Sequence, residues 1–292
     1  MGKQSKRYQQ NEQNSKTGYL KEDFRVFHLT DCGRRDFDFH YHDFHKILLF
    51  MRGNVSYVIE GRHFELQPGD VLFVRAGELH HPVVNDDTPY ERIILYLSPV
   101  YCKQMSTPDC ILDHFVHDES FFGLIRSDCA VCDTLRKCLT AIAGKTAQPS
   151  EFGGLLFGKT LLTQILILMN RALLDGQIEE PLYHCDGNRT VAEIMEFINR
   201  NLTSDLDIDS ISSALHVSRS YLMHSFKKET GCTIGQYITD KRLFLAKSYI
   251  AAGQSVTESC YKSGFRNYSV FYHAYTKKYH SMPKEAYRPG AE

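Results

Sequence analysis

Apolar and polar residues follow two different patterns along this chain of 292 residues. Between Val55 and Leu97, short β-rich runs are separated by turn residues such as Gly61 and Pro68-Gly69. Short strands at this spacing indicate a barrel or a sandwich. From about residue 108 onwards, apolar residues recur at helical intervals. The pattern therefore predicts an α+β chain with a β-rich first part and a helical second part.

The segment from Ile208 to Arg288 reads as one helix-turn-helix unit written twice. In the second helix of the first copy, Leu222 and Phe226 lie four residues apart, and Phe271 and Tyr275 repeat them at an offset of 49 residues. A second helix of this kind is the element that enters a DNA groove. Two copies of one docking surface therefore imply contact with two successive grooves of DNA.

The outward faces of these two helices carry the candidate DNA contacts. If the apolar pairs point inward, then Ser220 and His224, and likewise Ser269 and His273, project from the opposite side at 100° per residue. Ser218 and Asn267 are candidate N-caps. The predicted DNA-binding residues are Arg219, Ser220, Met223, His224, Lys227, Arg266, Asn267, Tyr268, Ser269, His273 and Lys277.

Charge is concentrated in the same part of the chain. Residues 219 to 288 contain 12 Lys and Arg against 4 Asp and Glu, a local net charge of +8, whereas the whole chain carries −1. A basic patch attracts phosphates independently of sequence. A charge run alone is more typical of a solvated helix surface. Here the duplicated context favours double-stranded DNA as the partner.

Residues 190 to 288 resemble the DNA-binding domain of the AraC/XylS family of bacterial transcription regulators. The resemblance rests on "VSRSYLMHSFKKETG", "QYITDKRLFLAKSYI", "SGFRNYSVFYHAYTKKY" and "MPKEAYR". It implies that each recognition helix enters a major groove, that RNA polymerase is a further partner, and that the protein is an activator rather than a repressor. The residues that it aligns with base-facing positions are Ser220, Met223, His224, Tyr268, Ser269 and His273.

The first part of the chain carries two motifs, "HYHDFHKILLFMRG" and "PGDVLFVRAGELHH", that resemble those of a cupin barrel, the sensor domain common in this family. His40, His42 and His80 fall on positions that bind metal in cupin enzymes, but Lys46 stands in place of the usual Glu. A protonated ammonium cannot coordinate a metal and would repel a dication. We therefore expect neither a metal nor another cofactor.

An effector pocket is the favoured interpretation of the barrel residues, because a small ligand requires a few convergent polar groups. His and Arg donors would suit a carboxylate or a hydroxylated ligand. Two alternatives stay open: the histidines hydrogen-bond the backbone or one another, or they bind zinc with one open position. The predicted effector-binding residues are His40, His42, Arg75, His80 and Tyr96.

The run "FGGLLFGKTLLTQILILMNRALLDG" spreads apolar residues around much of a helix. Leu162, Ile165, Leu166 and Met169 are among them. We expect part of this surface to pack on the barrel and part to form a homodimer, since the family places dimer contacts on helices here. Polar residues interrupt the run well before the ~20 apolar residues that a membrane span needs, so no membrane partner is predicted.

Five segments are predicted: a flexible arm (1–18), a cupin-like sensor barrel (19–107), a helical region for dimerisation (108–176), a polar linker (177–189) and an AraC-type DNA-binding domain (190–292). A capping box from Thr190 to Glu193 is expected to open the last domain. The arm lacks the apolar core of a signal peptide, which predicts a cytoplasmic protein. The nine cysteines are therefore expected to be free thiols.

Taken together, these patterns predict a sequence-specific transcription regulator that responds to a small-molecule effector and is not an enzyme. One alternative is a cupin metalloenzyme fused to a DNA-binding domain, against which Lys46 argues. Another is a regulator whose first domain binds no small ligand and only dimerises or contacts another protein. The lone CxxC of Cys129 and Cys132 favours helix packing over redox or metal chemistry.

Overall fold

A computed structural model describes residues 20, 22–34, 37–118, 123–144, 147–176, 178 and 189–286. The predicted arm at 1–18 and all of the predicted linker except residues 178 and 189 lie outside these residues. The chain divides into two compact units, Met1–His184 and Cys185–Glu292. The division falls inside the segment predicted as a linker.

The first unit is built on two antiparallel sheets. Strands β1, β7, β2, β5 and β8 form one sheet in that order, and β4, β3 and β6 form the other. The β-rich first part is thereby confirmed. The strands in the described residues are β1 (Phe24–Asp31), β2 (His45–Arg52), β3 (Val55–Ile59), β4 (Arg62–Glu65), β5 (Val71–Val74), β6 (His80–Val84), β7 (Tyr90–Leu97) and β8 (Leu124–Ile125).

Strand β8 lies inside the region predicted to be helical. Its two residues pair with Val71 and Leu72 of β5, so the larger sheet continues beyond residue 107. A strand of two residues is too short to produce a readable alternation in the sequence. The predicted boundary between barrel and helices therefore does not coincide with the edge of the sheet.

Successive residues of the central strands face two separate cores. Leu48 on β2 and Ile94 on β7 belong to the barrel core, a cluster that includes residues of both sheets. Ile47 and Leu95 belong to the helix-facing core, which the sheet shares with the helices that follow it. Since side chains alternate along a strand, neighbouring residues of β2, β5 and β7 point to opposite sides of the sheet.

Four helices complete the first unit in the described residues: α1 (Pro99–Met105), α2 (His114–His117), α3 (Cys132–Ala143) and α4 (Gly154–Leu174). The predicted packing of α4 within the chain is confirmed, because four of its apolar residues are buried in the helix-facing core. Buried Asn170 accepts from the Phe115 amide at 2.9 Å. The four buried apolar residues are Leu162, Ile165, Leu166 and Met169.

The described residues of the second unit are helical, which confirms the predicted change of class. The helices are α5 (Arg189–Arg200), α6 (Ile208–Ala214), α7 (Arg219–Thr230), α8 (Ile234–Ala251), α9 (Val256–Lys262) and α10 (Tyr268–Tyr279), followed by a 3₁₀ helix (Pro283–Ala286). None of the helices in the described parts of either unit has an apolar stretch that could cross a membrane.

The predicted capping box at Thr190 is wrong. Helix α5 begins no later than Arg189, so Thr190 already lies inside its first turn. A capping box is present instead at α6, where the Asp207 carboxylate accepts from the Ser210 amide at 2.7 Å and the Asp207 amide donates to the Ser210 hydroxyl. Sequence spacing alone does not distinguish a cap from two residues of a first turn.

The two helix-turn-helix units differ in their turns. Gly264 has φ +93°, and a Cβ atom there would lie 2.8 Å from the Leu202 carbonyl oxygen. The corresponding residue of the first turn is His216, with φ +54°. Both positions need the left-handed conformation, which glycine adopts most readily. Only the second position also excludes a side chain by close contact.

Candidate functional site

Helices α7 and α10 begin at the predicted N-caps. The Ser218 hydroxyl accepts from the Tyr221 amide at 3.3 Å, and the Asn267 side chain accepts from the Val270 amide at 3.1 Å. Each cap satisfies one amide of the first turn and sets the residue at which the helix starts. Both cap predictions are confirmed.

The inward faces of these helices are also confirmed. Leu222, Phe226 and Phe271 are completely buried, and Tyr275 is 1% exposed. Helical geometry therefore turns the opposite face of each helix outward. All of the predicted DNA-binding residues are exposed, as a DNA contact requires: Arg219, Ser220, Met223, His224, Lys227, Arg266, Asn267, Tyr268, Ser269, His273 and Lys277.

Two of these exposed residues already form ion pairs within the second unit. Arg219 pairs with Asp209, and Arg266 pairs with Asp205. All four side chains are exposed, and an exposed ion pair contributes little to stability. Loss of either ion pair would therefore cost the second unit little stability.

The basic residues at the end of α10 have different roles. Lys277 is exposed, whereas the Nζ atom of Lys278 lies 2.5 Å from a carboxylate oxygen of Asp240 on α8. The Lys278 and Asp240 side chains are only 17% and 13% exposed. Lys278 therefore holds α10 against α8, whereas the Lys277 side chain is directed to solvent.

In the first unit, the structure brings His40, His42 and His80 together at one end of β6. The ring centroids lie 4.4 Å apart for His40 and His80, 4.8 Å for His42 and His80, and 6.2 Å for His40 and His42. Reciprocal backbone hydrogen bonds of 3.1 and 2.9 Å join His40 to His80. The segment that precedes β2 is thereby attached to β6.

Backbone carbonyls set the orientation of all three rings. The Nδ1 atoms of His40, His42 and His80 lie 2.9, 2.6 and 2.9 Å from the carbonyl oxygens of residues 38, 44 and 78. Because a carbonyl oxygen only accepts, each Nδ1 atom carries the proton. Each Nε2 atom of a neutral ring then presents a lone pair.

Two of these Nε2 atoms are buried without a partner. Within the described residues, neither His42 Nε2 nor His80 Nε2 has a hydrogen bond. Burial lowers the pKa of both rings well below the usual value, with further contributions from Lys46 at His42 and from His40 at His80. The two rings are therefore neutral acceptors, and a buried acceptor without a donor is unfavourable. A bound group that donates hydrogen bonds would satisfy them.

Lys46 and Tyr57 are two residues of this site that the sequence did not reveal as a pair. The Lys46 ammonium donates to the Tyr57 hydroxyl at 2.7 Å, and both side chains are buried. Lys46 lies opposite Tyr96 in the pairing of β2 with β7, so both face the barrel core. Tyr96, a predicted effector residue, lies 6.0 Å from His42 between ring centroids.

The predicted effector residue Arg75 has its described partners away from the three histidines. Its guanidinium donates to the carbonyl oxygens of Val116 and Asp118, each at 2.8 Å, and forms an ion pair with Glu78 at 3.0 Å. Since side chains alternate, Arg75 lies on the same side of the sheet as Phe73, in contact with the helix-facing side. It attaches the turn after β5 to the residues around α2.

Metal coordination and thiol chemistry receive no support from the described residues. No group of three or more His, Cys, Asp or Glu side chains among them is arranged to hold a metal ion. The cysteines of that part of the chain are all free thiols. Burial raises the pKa of Cys132 to about 11, which disfavours a reactive thiolate in the CxxC pair.

Comparison with protein families matches both units. Residues 24–166 match the family model "AraC-like ligand binding domain", and residues 211–288 match a "Helix-turn-helix domain". The chain is an AraC-family transcription regulator. The first match contains His40, His42, Lys46, Tyr57, His80 and Tyr96, and the second contains α7 and α10 in full. The first unit is thus a cupin-like ligand-binding domain, and the family consists of DNA-binding regulators, which are not enzymes.

Relatives of this AraC-family chain match it along most of its length. The HTH-type transcriptional activator RhaS of Shigella sonnei (strain Ss046) is 21% identical over 251 residues, which cover 86% of this chain and 87% of RhaS. RhaS of Escherichia coli (strain SMS-3-5 / SECEC) is 22% identical with the same coverage. Among solved structures, ToxT from Vibrio cholerae has 12% identity and a TM-score of 0.39, and the match covers 90% of this chain and 97% of ToxT.

Proposed function

We propose that this regulator activates transcription by reading operator DNA with α7 and α10, in response to a small effector bound in the barrel. The observation that carries the DNA-binding role is the pair of capped helices with matching exposed faces. The relatives similar to this chain are named as transcriptional activators, which supports activation over repression. Activation implies contact with RNA polymerase, and a role on chromosomal DNA assigns the protein to the cytoplasm.

Transcription in vitro tests the direction of regulation. A promoter is placed beside an operator obtained by selection from random duplexes, and run-off transcripts are measured with purified RNA polymerase. We expect more transcript with the wild-type chain than without it. A chain that binds the operator and lowers transcript yield would show that it is a repressor. No catalytic step belongs to this proposal.

The effector role rests on His42, His80 and Lys46. Two unpartnered acceptor nitrogens and one ammonium form a small polar group among the apolar residues of the barrel. A ligand that offers hydroxyl or amide donors to the imidazoles would remove the unfavourable burial of these nitrogens. This differs from the donor role expected from the sequence, because the Nδ1 protons are already bonded to carbonyls.

A thermal-shift screen of neutral and anionic metabolites tests this assignment, since a ligand that binds only the folded state raises the melting temperature. We expect a hit that loses its effect in His80→Ala. The exposed His28 of β1 supplies a matched control, because His28→Ala leaves the barrel interior unchanged. A hit with the same shift in His80→Ala binds elsewhere. Failure of the whole screen would favour a regulator without a small ligand.

Homodimerisation is proposed through the outer surface at the start of α4. Leu162, Ile165, Leu166 and Met169 are buried within the chain and are unavailable to a second copy. Leu155 and Leu156 are 53% and 71% exposed, and the preceding Phe152 is fully exposed. Adjacent exposed apolar side chains of this size are typical of a protein interface.

Sedimentation of the full chain tests the dimer. The substitution Leu156→Glu would place an unpaired charge in the interface, so we expect monomers at micromolar concentration. Arg171→Glu, at the far end of the same helix, is the matched control and should remain dimeric. A monomeric wild-type chain would contradict the proposal.

A further inference from the structure

Helices α7 and α10 carry the same residue at three outward positions. The pairs are Ser220 and Ser269, His224 and His273, and Lys228 and Lys277, each separated by 49 residues. All six side chains are exposed. At 100° per residue, each of the three positions lies on the side of its helix away from the buried pair. The two outward faces therefore share a serine, a histidine and a lysine at matching positions.

The frame around each helix keeps the same offset. The N-caps are Ser218 and Asn267, and the C-caps are Gly231 and His280, both with a left-handed backbone. Each C-cap amide donates to the carbonyl four residues earlier. The buried pairs, 222 with 226 and 271 with 275, repeat the spacing as well. Matched outward residues thus occupy the same place relative to the start, end and core of their helices.

Identical side chains in matching frames present the same atoms to a groove. Ser and His hydrogen-bond with base edges in the major groove, whereas Lys228 and Lys277 suit phosphates. If both units dock in the same way, the serine and the histidine of each helix contact the same base edges. Differences between the two readings then come from the remaining exposed positions.

Tyr221 and Val270 form one of these differing pairs, and the predicted DNA contacts Arg219 and Tyr268 form another. Tyr221 and Val270 share the 49-residue offset and are 48% and 60% exposed. Val270 offers only apolar surface, which favours a thymine methyl group, while Tyr221 adds a phenolic hydroxyl. A further difference is Met223, whose counterpart is Tyr272.

We infer that one chain reads two copies of one short base sequence, and that the copies differ at the bases that face unlike residues, such as Tyr221 in one unit and Val270 in the other. This inference rests on the proposed base-reading role of α7 and α10. It describes the operator by its internal repetition, which the presence of two helix-turn-helix units alone does not require, since two units with unrelated faces would read unrelated sequences.

Selection from a library of random-sequence duplexes with the full chain tests the inference. We expect the enriched sequences to contain the same short base sequence, called the word below, twice. A base-pair change in either copy should weaken binding by roughly 5- to 150-fold. Two unrelated words would overturn the inference and leave the proposed DNA-binding function intact. No enriched sequence at all would overturn both.

A repeated word could also arise from two protomers, and variants of single helices separate the two origins. With His273→Ala, we expect one copy of the word to lose sequence preference while the other keeps it. Equal loss in every copy would mean that the copies are read by the same helix of different protomers, which would overturn the inference. Ser248→Ala on α8 is the control for folding and should change neither copy.

Exchange of the differing residue gives a second readout that does not depend on loss of binding. Tyr221→Val makes the two faces more alike, so selection with this variant should return two copies that are more similar than those of the wild type. Unchanged words would show that position 221 does not contact bases. Thermal melting confirms that each variant is folded before selection.

Discussion

The two candidate sites hold their histidines in opposite surroundings. His224 and His273 lie exposed on helices whose caps and cores are formed by other residues. His42 and His80 are buried, and each Nδ1 atom is bonded to a backbone carbonyl. An exposed histidine can be substituted without disturbing the packing of its helix, whereas a buried histidine is part of the packing around it. Substitutions should therefore separate affinity from stability in the second unit and combine them in the first.

Among the predictions, substitution of Arg75 should cause the largest loss of stability in the first unit. Arg75→Ala removes two 2.8 Å hydrogen bonds to carbonyl oxygens and the ion pair with Glu78. We expect the free energy of unfolding of the first unit to fall by about 2 to 4 kcal/mol, because hydrogen bonds to charged groups are strong and the carbonyls lose their donor. Denaturant titration measures the change.

The exposed Arg52 of β2 is the matched control, and Arg52→Ala should change stability by less than about 0.5 kcal/mol. The ligand-induced thermal shift should survive in Arg75→Ala, since this residue faces the helices. Loss of that shift at unchanged stability would return Arg75 to the effector site.

On the DNA side, His224→Ala and His273→Ala should each weaken specific binding by ~1 to 3 kcal/mol, because each removes a proposed contact to a base edge. The free energy of unfolding should stay within about 0.5 kcal/mol of wild type, since both side chains are exposed. Titration of selected and unrelated duplexes separates base reading from general affinity. An unchanged preference for the selected duplex would remove these residues from base contact.

Acidification tests the buried imidazoles. Burial lowers the pKa of His45 to about 3 and also lowers those of His42 and His80. Below pH ~6.5 the unfolded chain binds these protons and the folded chain does not. The free energy of unfolding is therefore unaffected by protonation of these histidines above that pH and decreases as the pH falls towards the folded pKa. The first unit should therefore become less stable between pH 7 and 5.5.

For a single imidazole the loss over this interval is roughly 1 kcal/mol. His45→Gln should reduce the pH dependence by about that amount, as measured by chemical denaturation at both pH values. An identical dependence in this variant would show that His45 has the same pKa in the folded and the unfolded chain, which contradicts the prediction.

Substitution of Lys227 should give the smallest change in DNA affinity, and it tests whether this residue contacts phosphate or bases. Lys227→Ala should weaken selected and unrelated duplexes alike and lower the slope of log affinity against log salt by about one unit, as expected for one phosphate contact. Filter binding at several salt concentrations measures the slope. A loss confined to the selected duplex would make Lys227 a base-reading residue.

The inward faces of α7 and α10 were predictable because each helix has two apolar residues four positions apart, and such a pair defines one buried side of a helix. Leu222, Phe226, Phe271 and Tyr275 are buried as the 100° rotation required. The buried side of a helix can be identified from its own sequence, without knowledge of the element that packs against it. Both N-caps followed from the same reasoning, since Ser and Asn immediately precede the periodic residues.

The barrel site was only partly predictable. The run Val71–Val74 is apolar throughout and buried on both sides, so its sequence does not show which side Arg75 would face. Lys46 stood out in the sequence only as a missing metal ligand. Its partner Tyr57 lies on the other sheet, and no sequence spacing reports a contact between two sheets.

The turns of the two helix-turn-helix units differ in which residues they can accommodate. At Gly264 the Leu202 carbonyl leaves no room for a side chain, while His216 shows that the first turn accommodates one. Residue 264 is therefore restricted to glycine by its surroundings as well as by its backbone, whereas residue 216 is restricted by its backbone alone. A substitution library should accordingly accept several residue types at position 216 and only glycine at position 264.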